Sequence, residues 1–241
     1  EEVFVGNGSD EVLGLCFPAF FAGQAQPVQF ADITYSFYEV YAQLFGVAVQ
    51  KIPLTADFCI DLPAFCQGAA GGILIPNPNA PTGVAESLSE IREILDKNPD
   101  VIVIIDEAYI DFGGTSALSL IPEYDNLLVV QTFSKSRSMA GMRIGAAFGQ
   151  PKLIKYLSDV KYSFNSYTMN RPALELGKAS LGDPAYFQEC CRKIMATRER
   201  VKKELSGLGF SFGDSMANFL FVTHERISAR ELFEALKIKK I

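Results

Sequence analysis

Histidine is almost missing from this 241-residue chain, in which His224 is the only one. A single histidine argues against mechanisms that need a histidine triad or a metal held by several histidines. We interpret His224 as a surface residue just past a strand. The five cysteines are odd in number, and their spacing matches neither a disulfide framework nor a CxxC metal site. We expect reduced thiols, no metal site and a cytoplasmic protein.

An excess of basic residues is missing as well. The chain has 22 lysines and arginines against 28 aspartates and glutamates, a formal charge of -6, so it lacks the basic footprint that nucleic-acid binding requires. No apolar run is long enough to cross a bilayer, and the acidic N-terminal segment does not have the pattern of a signal peptide. We expect neither nucleic acid nor a membrane as a partner.

Hydrophobic residues, in contrast, make up 49% of the chain and form short apolar runs that alternate with helical patterns. Such runs are typical of strands buried on both faces of a mostly parallel sheet. They cover residues 72–75, 101–105, 127–130 and 144–148, and the helical patterns cover 10–21, 36–45 and 87–97. This order predicts an α/β fold with three layers, α/β/α.

The pattern changes after about residue 150. A long helical pattern over 184–205 is followed by strand candidates at 210–212 and 219–222, and then by a helix over 228–236 with Ser228 as its N-cap. We predict a large domain over residues 1–175 and part of a smaller α+β domain over residues 176–241. Both ends look cut, because the chain begins in a strand-like segment and stops in a basic stretch.

The most specific local signal is TFSKSRSMAGMRIG, residues 132–145, directly after an apolar run. Lys135 follows the carboxyl end of that predicted strand, where open α/β sheets bind ligands. Thr132, Ser134 and Arg143 place two hydroxyls and a guanidinium nearby, which predicts a phosphate site beside an amine. A lysine that attacks a carbonyl must lose its proton more easily than a solvated lysine does. An isolated loop lysine is, however, usually solvated.

A second apolar strand ends in DEAY, residues 106–109. Asp106 can pair with a protonated heterocyclic nitrogen, and that protonation makes a pyridine ring an electron sink. Tyr109 can bond a phenolate oxygen on the same ring. The competing interpretation is a magnesium site like that of nucleotide hydrolases, but the sequence has no GxxxxGK[ST] phosphate loop.

Proline and asparagine cluster in PNPNAPTG, residues 76–83. Three prolines in this region predict a rigid turn, and X-Pro bonds are the peptide bonds that adopt the cis form most readily. Asn77 and Asn79 supply amides that can face a ligand. Such clusters are more often turns than binding sites.

Two further signals are weak when taken alone. The glycine-rich segment GNGSDE, residues 6–11, opens a predicted helix with Ser9 and Asp10, and free N–H groups at a helix start favour an anion. The same residues are also ordinary helix caps. Tyr35 follows a predicted strand and is suited either to stacking on a planar ring or to simple packing.

The order of the motifs GNGSDE, TYSFYE, NPNAPTG, DEAY and TFSKSRSMAGMRIG resembles that of the fold type I pyridoxal-phosphate aminotransferases. The specific motifs cover residues from about 5 to 150, and the remainder matches in general pattern only. The resemblance implies pyridoxal 5'-phosphate (PLP) as cofactor, transamination as reaction and a homodimer as assembly. It is closest to the branch that uses histidinol phosphate and 2-oxoglutarate in histidine biosynthesis. An aromatic aminotransferase, a threonine-phosphate decarboxylase and a non-catalytic remnant of the fold stay open as alternatives.

The resemblance also implies a role for each matching residue. Lys135 would form the Schiff base and move the substrate proton, Asp106 would pair with the pyridine nitrogen, and Tyr109 would bond the ring hydroxyl. Tyr35 would stack on the ring. The phosphate would be surrounded by Gly8, Ser9, Asp10, Thr132, Ser134 and Arg143.

The chain departs from the family pattern in places. Ala80 stands where the family often has the asparagine that bonds the ring hydroxyl, and we assign that role to the preceding Asn79. Asn165 resembles a family asparagine that faces the substrate. The N-terminal arm and the C-terminal arginine of the family are not evident, so we expect the chain to hold cofactor without efficient turnover.

Overall fold

The structure, a computed structural model, describes residues 2–67 and 70–241. In this part of the chain seven strands form one sheet in the order β1-β7-β6-β5-β4-β2-β3. The strands are β1 (Val3–Asn7), β2 (Val28–Ala31), β3 (Val49–Ile52), β4 (Gly72–Pro76), β5 (Val103–Asp106), β6 (Leu127–Thr132) and β7 (Ile144–Gly149). The four apolar runs correspond to β4, β5, β6 and β7.

The sheet is mostly parallel, as predicted. The five strands β2 to β6 all pair in parallel with one another. Strand β7 is antiparallel to both of its neighbours, β6 and β1. Along β5, Ile104 packs into one apolar cluster and Val103 and Ile105 pack into another. Successive side chains of a strand point to opposite faces, so both faces of the sheet are covered.

Helices form the two outer layers of the three-layer architecture. The helices of the described residues are α1 (Ser9–Cys16), α2 (Phe37–Leu44), α3 (Leu62–Phe65), α4 (Leu88–Lys97), α5 (Pro151–Phe164), α6 (Arg171–Leu181), α7 (Pro184–Gly207) and α8 (Ala229–Ile238), of which α1 to α5 cover the sheet. Residues of α1, α2 and α5 pack on one face of the sheet, and residues of α3 and α4 pack on the other. The helical patterns at 10–21, 36–45 and 87–97 are confirmed, with a π-helical turn, Phe17–Phe21, continuing α1.

Several strand ends meet at one edge of the sheet. Pro76 pairs with Asp106, and Asp106 pairs with Val130. At the same level Thr132 lies opposite Gly145, and Asn7 lies opposite Ile144. The segments that follow β1, β2, β4, β5 and β6 therefore emerge at this edge, where β7 also begins.

The C-terminal region contains a second, two-stranded sheet. Strand β8 (Phe210–Phe212) pairs antiparallel with β9 (Val222–His224). The predicted strand over 219–222 is wrong, because β9 begins only at Val222. The apolar residues before it serve tertiary packing: Phe219 lies edge-on to Tyr109 at 4.9 Å between ring centroids, and Phe221 packs on Phe58 at 5.1 Å.

His224 is the last residue of β9 and does not follow the strand, which corrects its predicted position. Its ring is held locally, with Nε2 at 3.2 Å from the Leu208 carbonyl oxygen and Nδ1 accepting the N–H of Arg226 at 3.1 Å. These bonds give His224 a structural role in the small sheet.

The predicted helix start at Ser228 is confirmed by a capping box with Glu231. The proposed domain division between residues 175 and 176 falls inside α6 and stays a prediction. Within residues 2–67 and 70–241, no helix is both long and apolar enough to traverse a bilayer.

Candidate active site

A cavity of about 160 Å³ lies at the edge of the sheet where the strand ends meet. Eight of the predicted site residues line it: Ser9, Asp10, Tyr35, Asp106, Tyr109, Ser134, Lys135 and Arg143. These residues come from four separate segments of the chain. They lie at or after the ends of β1, β2, β5 and β6, and these strands run in the same direction, so their carboxyl ends lie at the same edge.

Asp106, the last residue of β5, provides a buried carboxylate. It is 5% exposed, and its two oxygens accept hydrogen bonds from the Tyr38 hydroxyl at 2.8 Å and the Ala108 N–H at 3.2 Å. Burial raises the pKa of Asp106 to about 6, although both hydrogen bonds and the charge of Lys135 favour the ionised form. The side chain is thus poised to pair with a cation inside the cavity.

Lys135 lies three residues beyond β6, in a turn with several supports. The Met139 N–H donates to the Phe133 carbonyl at 3.0 Å, and the Ser138 N–H donates to the Lys135 carbonyl at 3.1 Å. The ammonium lies 5.3 Å from the centre of the Tyr109 ring. Lys135, Asp106 and Tyr109 therefore share one cavity, with the amine and the carboxylate supplied by neighbouring parallel strands.

The turn before α1 forms another wall of the cavity. Gly8 adopts a φ of 88°, and a side chain there would meet the Arg143 guanidinium at 2.5 Å. Gly8 itself does not line the cavity but leaves space for Arg143. The first N–H groups of a helix have no partner within the helix and carry partial positive charge, so the start of α1 and Arg143 together suit an anion.

Thr132 is 7% exposed and acts through Ser134. Its hydroxyl lies 3.0 Å from the Ser134 hydroxyl, and it accepts the Ser134 N–H at 3.2 Å. Ser134 lines the cavity and Thr132 does not. Of the two predicted hydroxyls, only that of Ser134 therefore belongs to a residue that lines the cavity.

The Asp10 carboxylate has contacts that the sequence did not predict. It accepts a hydrogen bond from the Tyr35 hydroxyl at 2.7 Å and pairs with Arg143 at 3.0 Å. Burial and the adjacent Asp10 raise the pKa of Tyr35 well above its ordinary value. Asp10 thereby orients both the aromatic ring and the guanidinium.

Asn79 lies outside the cavity. Its side chain is 4% exposed and is occupied within the loop: it accepts from the Thr34 hydroxyl and donates to the Ile33 carbonyl and to Thr82. Ala80 lines the cavity in its place, beside Pro76 and Pro78. The cis peptides expected in this segment are present at Asn77–Pro78 and Ala80–Pro81.

Asn165 also lies outside the cavity. It is exposed at the end of α5, and its side chain accepts the Tyr167 N–H at 3.4 Å. Neither Asn79 nor Asn165 therefore lies with the other predicted site residues that line the cavity. The ligand contacts assigned to these two residues stay predictions.

Tyr38 is the residue that sequence reasoning missed. It lies in the first turn of α2, where an aromatic residue in an amphipathic pattern is read as core packing. A buried tyrosine hydroxyl nevertheless needs a hydrogen-bond partner, and a tyrosine three residues from Tyr35 is a weak signal for one. The partner, Asp106, is 68 residues away in the chain.

Comparison with known proteins agrees with the family that the sequence motifs indicated. The profile of the family described as aminotransferase class I and II matches residues 1–240. A curated relative, the histidinol-phosphate aminotransferase of Clostridium acetobutylicum, is 55% identical over 241 residues, which is 100% of this chain and 68% of that protein. The chain thus spans about two thirds of the length of this relative.

Solved structures share the fold. A crystal structure of the histidinol-phosphate aminotransferase from Clostridium acetobutylicum has a TM-score of 0.91 at 26% identity, covering 100% of this chain and 72% of that one. The Sinorhizobium meliloti histidinol-phosphate aminotransferase in complex with pyridoxal-5'-phosphate has a TM-score of 0.83 at 22% identity, covering 93% and 62%; at that identity the likeness shows the fold alone. Since the family profile extends over nearly the whole chain and a relative at 55% identity is an aminotransferase, the chain belongs to the aminotransferase class I and II family.

Proposed function

We propose that this chain forms the PLP-binding catalytic core of an enzyme that transfers an amino group between histidinol phosphate and 2-oxoglutarate in histidine biosynthesis. The observation that carries the proposal is that Asp106, at the end of β5, and Lys135, just after the neighbouring β6, line one cavity. Family membership supports the reaction, and the 55% identical relative supports the substrate.

The residues of the cavity fit PLP in chemical terms. The cofactor has an aldehyde, a basic ring nitrogen and a phosphate, and the cavity offers an amine, a buried carboxylate and an anion-binding helix start with an arginine. When bound, PLP supplies a carbonyl that condenses with amines and a protonated ring that withdraws electrons.

Each side chain then has a distinct task. Asp106, once ionised, holds a proton on the ring nitrogen by direct pairing. Lys135 would hold the aldehyde end of the cofactor through its amine, and its Nζ would hold or move the proton at the substrate Cα.

Other residues orient the cofactor. Tyr35 would cover one face of the ring and Tyr109 would bond the ring hydroxyl. Arg143, Ser134 and the first N–H groups of α1 bind the phosphate, as fixed donors that need little rearrangement.

The Lys135→Ala variant tests the assignment of the amine. We expect it to lose the yellow absorbance of PLP joined to a lysine and to lose activity by at least about 10²-fold, because both the covalent link and the proton carrier are removed. Lys155→Ala serves as a control, since this lysine is 70% exposed on α5. A chromophore unchanged by Lys135→Ala contradicts the proposed site.

Turnover with three amino donors tests the substrate. We expect histidinol phosphate to be converted with a higher kcat/KM than phenylalanine, and no release of carbon dioxide from threonine phosphate. The assay uses 2-oxoglutarate as acceptor and the full-length protein. Absence of turnover with histidinol phosphate contradicts the substrate assignment while leaving the cofactor assignment to the absorbance test.

We also propose that the protein acts as a homodimer, and the support lies on α2. Phe37, Val40 and Leu44 lie on one side of this helix and are 46%, 47% and 71% exposed. Phe37 also stacks on Tyr35, with ring centroids 5.7 Å apart, so the exposed apolar face of α2 is continuous with the cavity. Apolar surface that adjoins a ligand site is typical of an interface.

A cytoplasmic location is part of the same proposal. All five cysteines are free, and proteins that keep several unpaired thiols are typical of reducing compartments. Fractionation of cells that express the full-length protein tests this, and recovery outside the cytoplasmic fraction contradicts it.

A further inference from the structure

We propose that Tyr38 is a positioning residue that keeps the Asp106 carboxylate ionised and oriented toward the ring nitrogen of the cofactor, an inference that rests on the proposed function. Tyr38 does not line the cavity and would not touch the ligand. It would act through Asp106, on which the protonation of the ring depends.

The geometry of Tyr38 leaves its hydroxyl one clear partner. The side chain is 0% exposed, and its Oη donates to Asp106 Oδ2 at 2.8 Å. The ring is fixed from two sides, by Tyr35 at 5.5 Å in an edge-on arrangement and by Phe30 at 5.8 Å between centroids. Because the ring is held in place, the buried hydroxyl donates to Asp106 in a fixed geometry.

The pattern of donors around Asp106 favours the ionised form. Each oxygen accepts one hydrogen bond, from Tyr38 on one side and from the Ala108 N–H on the other. An ionised carboxylate only accepts, whereas a protonated one must place its own proton on a further acceptor. Hydrogen bonds donated to the charged form lower a carboxyl pKa.

The other charged and titratable groups around Asp106 act in both directions. Asp10 on α1 disfavours ionisation and Lys135 favours it. The Cys16 thiol of α1 is buried, and burial, with the charge of Asp106, raises its pKa well above its ordinary value, so it stays neutral. Against the desolvation that raises the pKa of Asp106, the hydrogen bond from Tyr38 is the largest opposing influence.

The experiment is a carboxyl ¹³C NMR titration of Asp106 in the cofactor-free protein, with the signal assigned by its loss in Asp106→Asn. In Tyr38→Phe we expect the pKa of Asp106 to rise by about one pH unit, a tenfold change in its protonation equilibrium, since one hydrogen bond to the carboxylate is removed. Tyr41→Phe is the matched control, because Tyr41 lies on the same helix and packs on Phe17 and Phe37.

The second measurement is the dissociation constant of PLP, followed by absorbance. At pH 5, below the Asp106 pKa of both proteins, we expect Tyr38→Phe to weaken binding by about tenfold, because the ionised fraction of the carboxylate falls about tenfold when its pKa rises by one unit. Tyr41→Phe should remain within about twofold of the unchanged protein. The proposal requires both changes, and an Asp106 titration or a PLP affinity that is the same in Tyr38→Phe overturns it.

A third measurement needs no Tyr38 variant and covers the case in which Tyr38→Phe does not fold. With ¹³Cζ-labelled tyrosine, the Tyr38 signal of the unchanged protein should shift with the same midpoint as Asp106, and independent titration overturns the proposal. Failure of the unchanged protein to bind PLP contradicts the proposed function instead. The two titrations would still decide whether Tyr38 holds Asp106 ionised.

Discussion

Asp106 lies in an environment that is costly for a carboxylate without a partner charge. Its carboxylate is desolvated at the end of a central strand, and burial raises its pKa from 3.8 to about 6. Between these values the folded protein binds more protons at this site than the unfolded chain does. The free energy of unfolding must therefore fall as pH rises through this window.

Replacing Asp106 with asparagine should stabilise the cofactor-free protein above about pH 6. The raised pKa corresponds to a gain on the order of 2–3 kcal/mol at about 1.4 kcal/mol per pKa unit, and the gain should vanish below about pH 4. The measurement is urea unfolding from pH 4 to pH 8. The exposed Asp100→Asn is the control, and equal pH dependence in Asp106→Asn and the unchanged protein contradicts this account.

With cofactor bound, the sign of the Asp106→Asn effect reverses. The ionised carboxylate then has a cation to pair with, so the neutral amide should weaken PLP binding even though it stabilises the empty protein. A destabilised ligand site of this kind is a common feature of enzymes.

The turn between β1 and α1 is the element on which the anion-binding end of the cavity depends. Its residue Gly8 has positive φ and lies against the Arg143 guanidinium. The backbone of Arg143 is itself left-handed, with a φ of 53°. A short turn with little space therefore determines where the arginine is held.

Gly8→Ala should weaken PLP binding by about 10- to 100-fold, because the new methyl group displaces Arg143 and its charged hydrogen bonds to the phosphate. Gly23→Ala is the matched control: Gly23 has a φ of 80°, and a Cβ there meets nothing within 4 Å. Both variants should lose about 1–3 kcal/mol of stability, because an alanine is strained at positive φ. Equal PLP affinity in the two variants contradicts the steric role of Gly8.

At the scale of the molecule, the site depends on several chain segments arriving at one sheet edge. Antiparallel β7 starts at the edge where β5 and β6 end, so Arg143 reaches the same cavity as Asp106 and Lys135. The exposed apolar face of α2 adjoins that cavity, so the proposed dimer would form next to the site.

Leu44→Glu should shift the proposed dimer toward monomer, with at least about a tenfold weaker association, because a charge replaces a leucine that dimerisation buries. Leu208→Glu is the control, since Leu208 is 66% exposed at the end of α7. Sedimentation velocity distinguishes the two. A monomeric unchanged protein, or equal dissociation of both variants, contradicts the use of this face.

Much of the fold follows from the sequence alone. The apolar runs that became β4 to β7 are buried on both faces, and such runs can hardly be anything but central strands. The helix starts at Ser87 and Ser228 were also predictable, since a serine followed three residues later by glutamate is a local capping signal. Strand β9 was misplaced because tertiary packing of Phe219 and Phe221, and not local pattern, determines the conformation there.

The sequence by itself determined the candidate cofactor residues whose signals are local: Lys135 after β6, Asp106 at the end of β5, and the glycine turn before α1. Only the tertiary structure decided that Tyr38 donates to Asp106, that Asp10 holds Tyr35 and Arg143, and that Asn79 is occupied inside its loop. The reason is physical: a strand or a cap reflects its immediate neighbours in the chain. The partner of a buried polar group is whichever residue the packing of distant segments brings within hydrogen-bond reach.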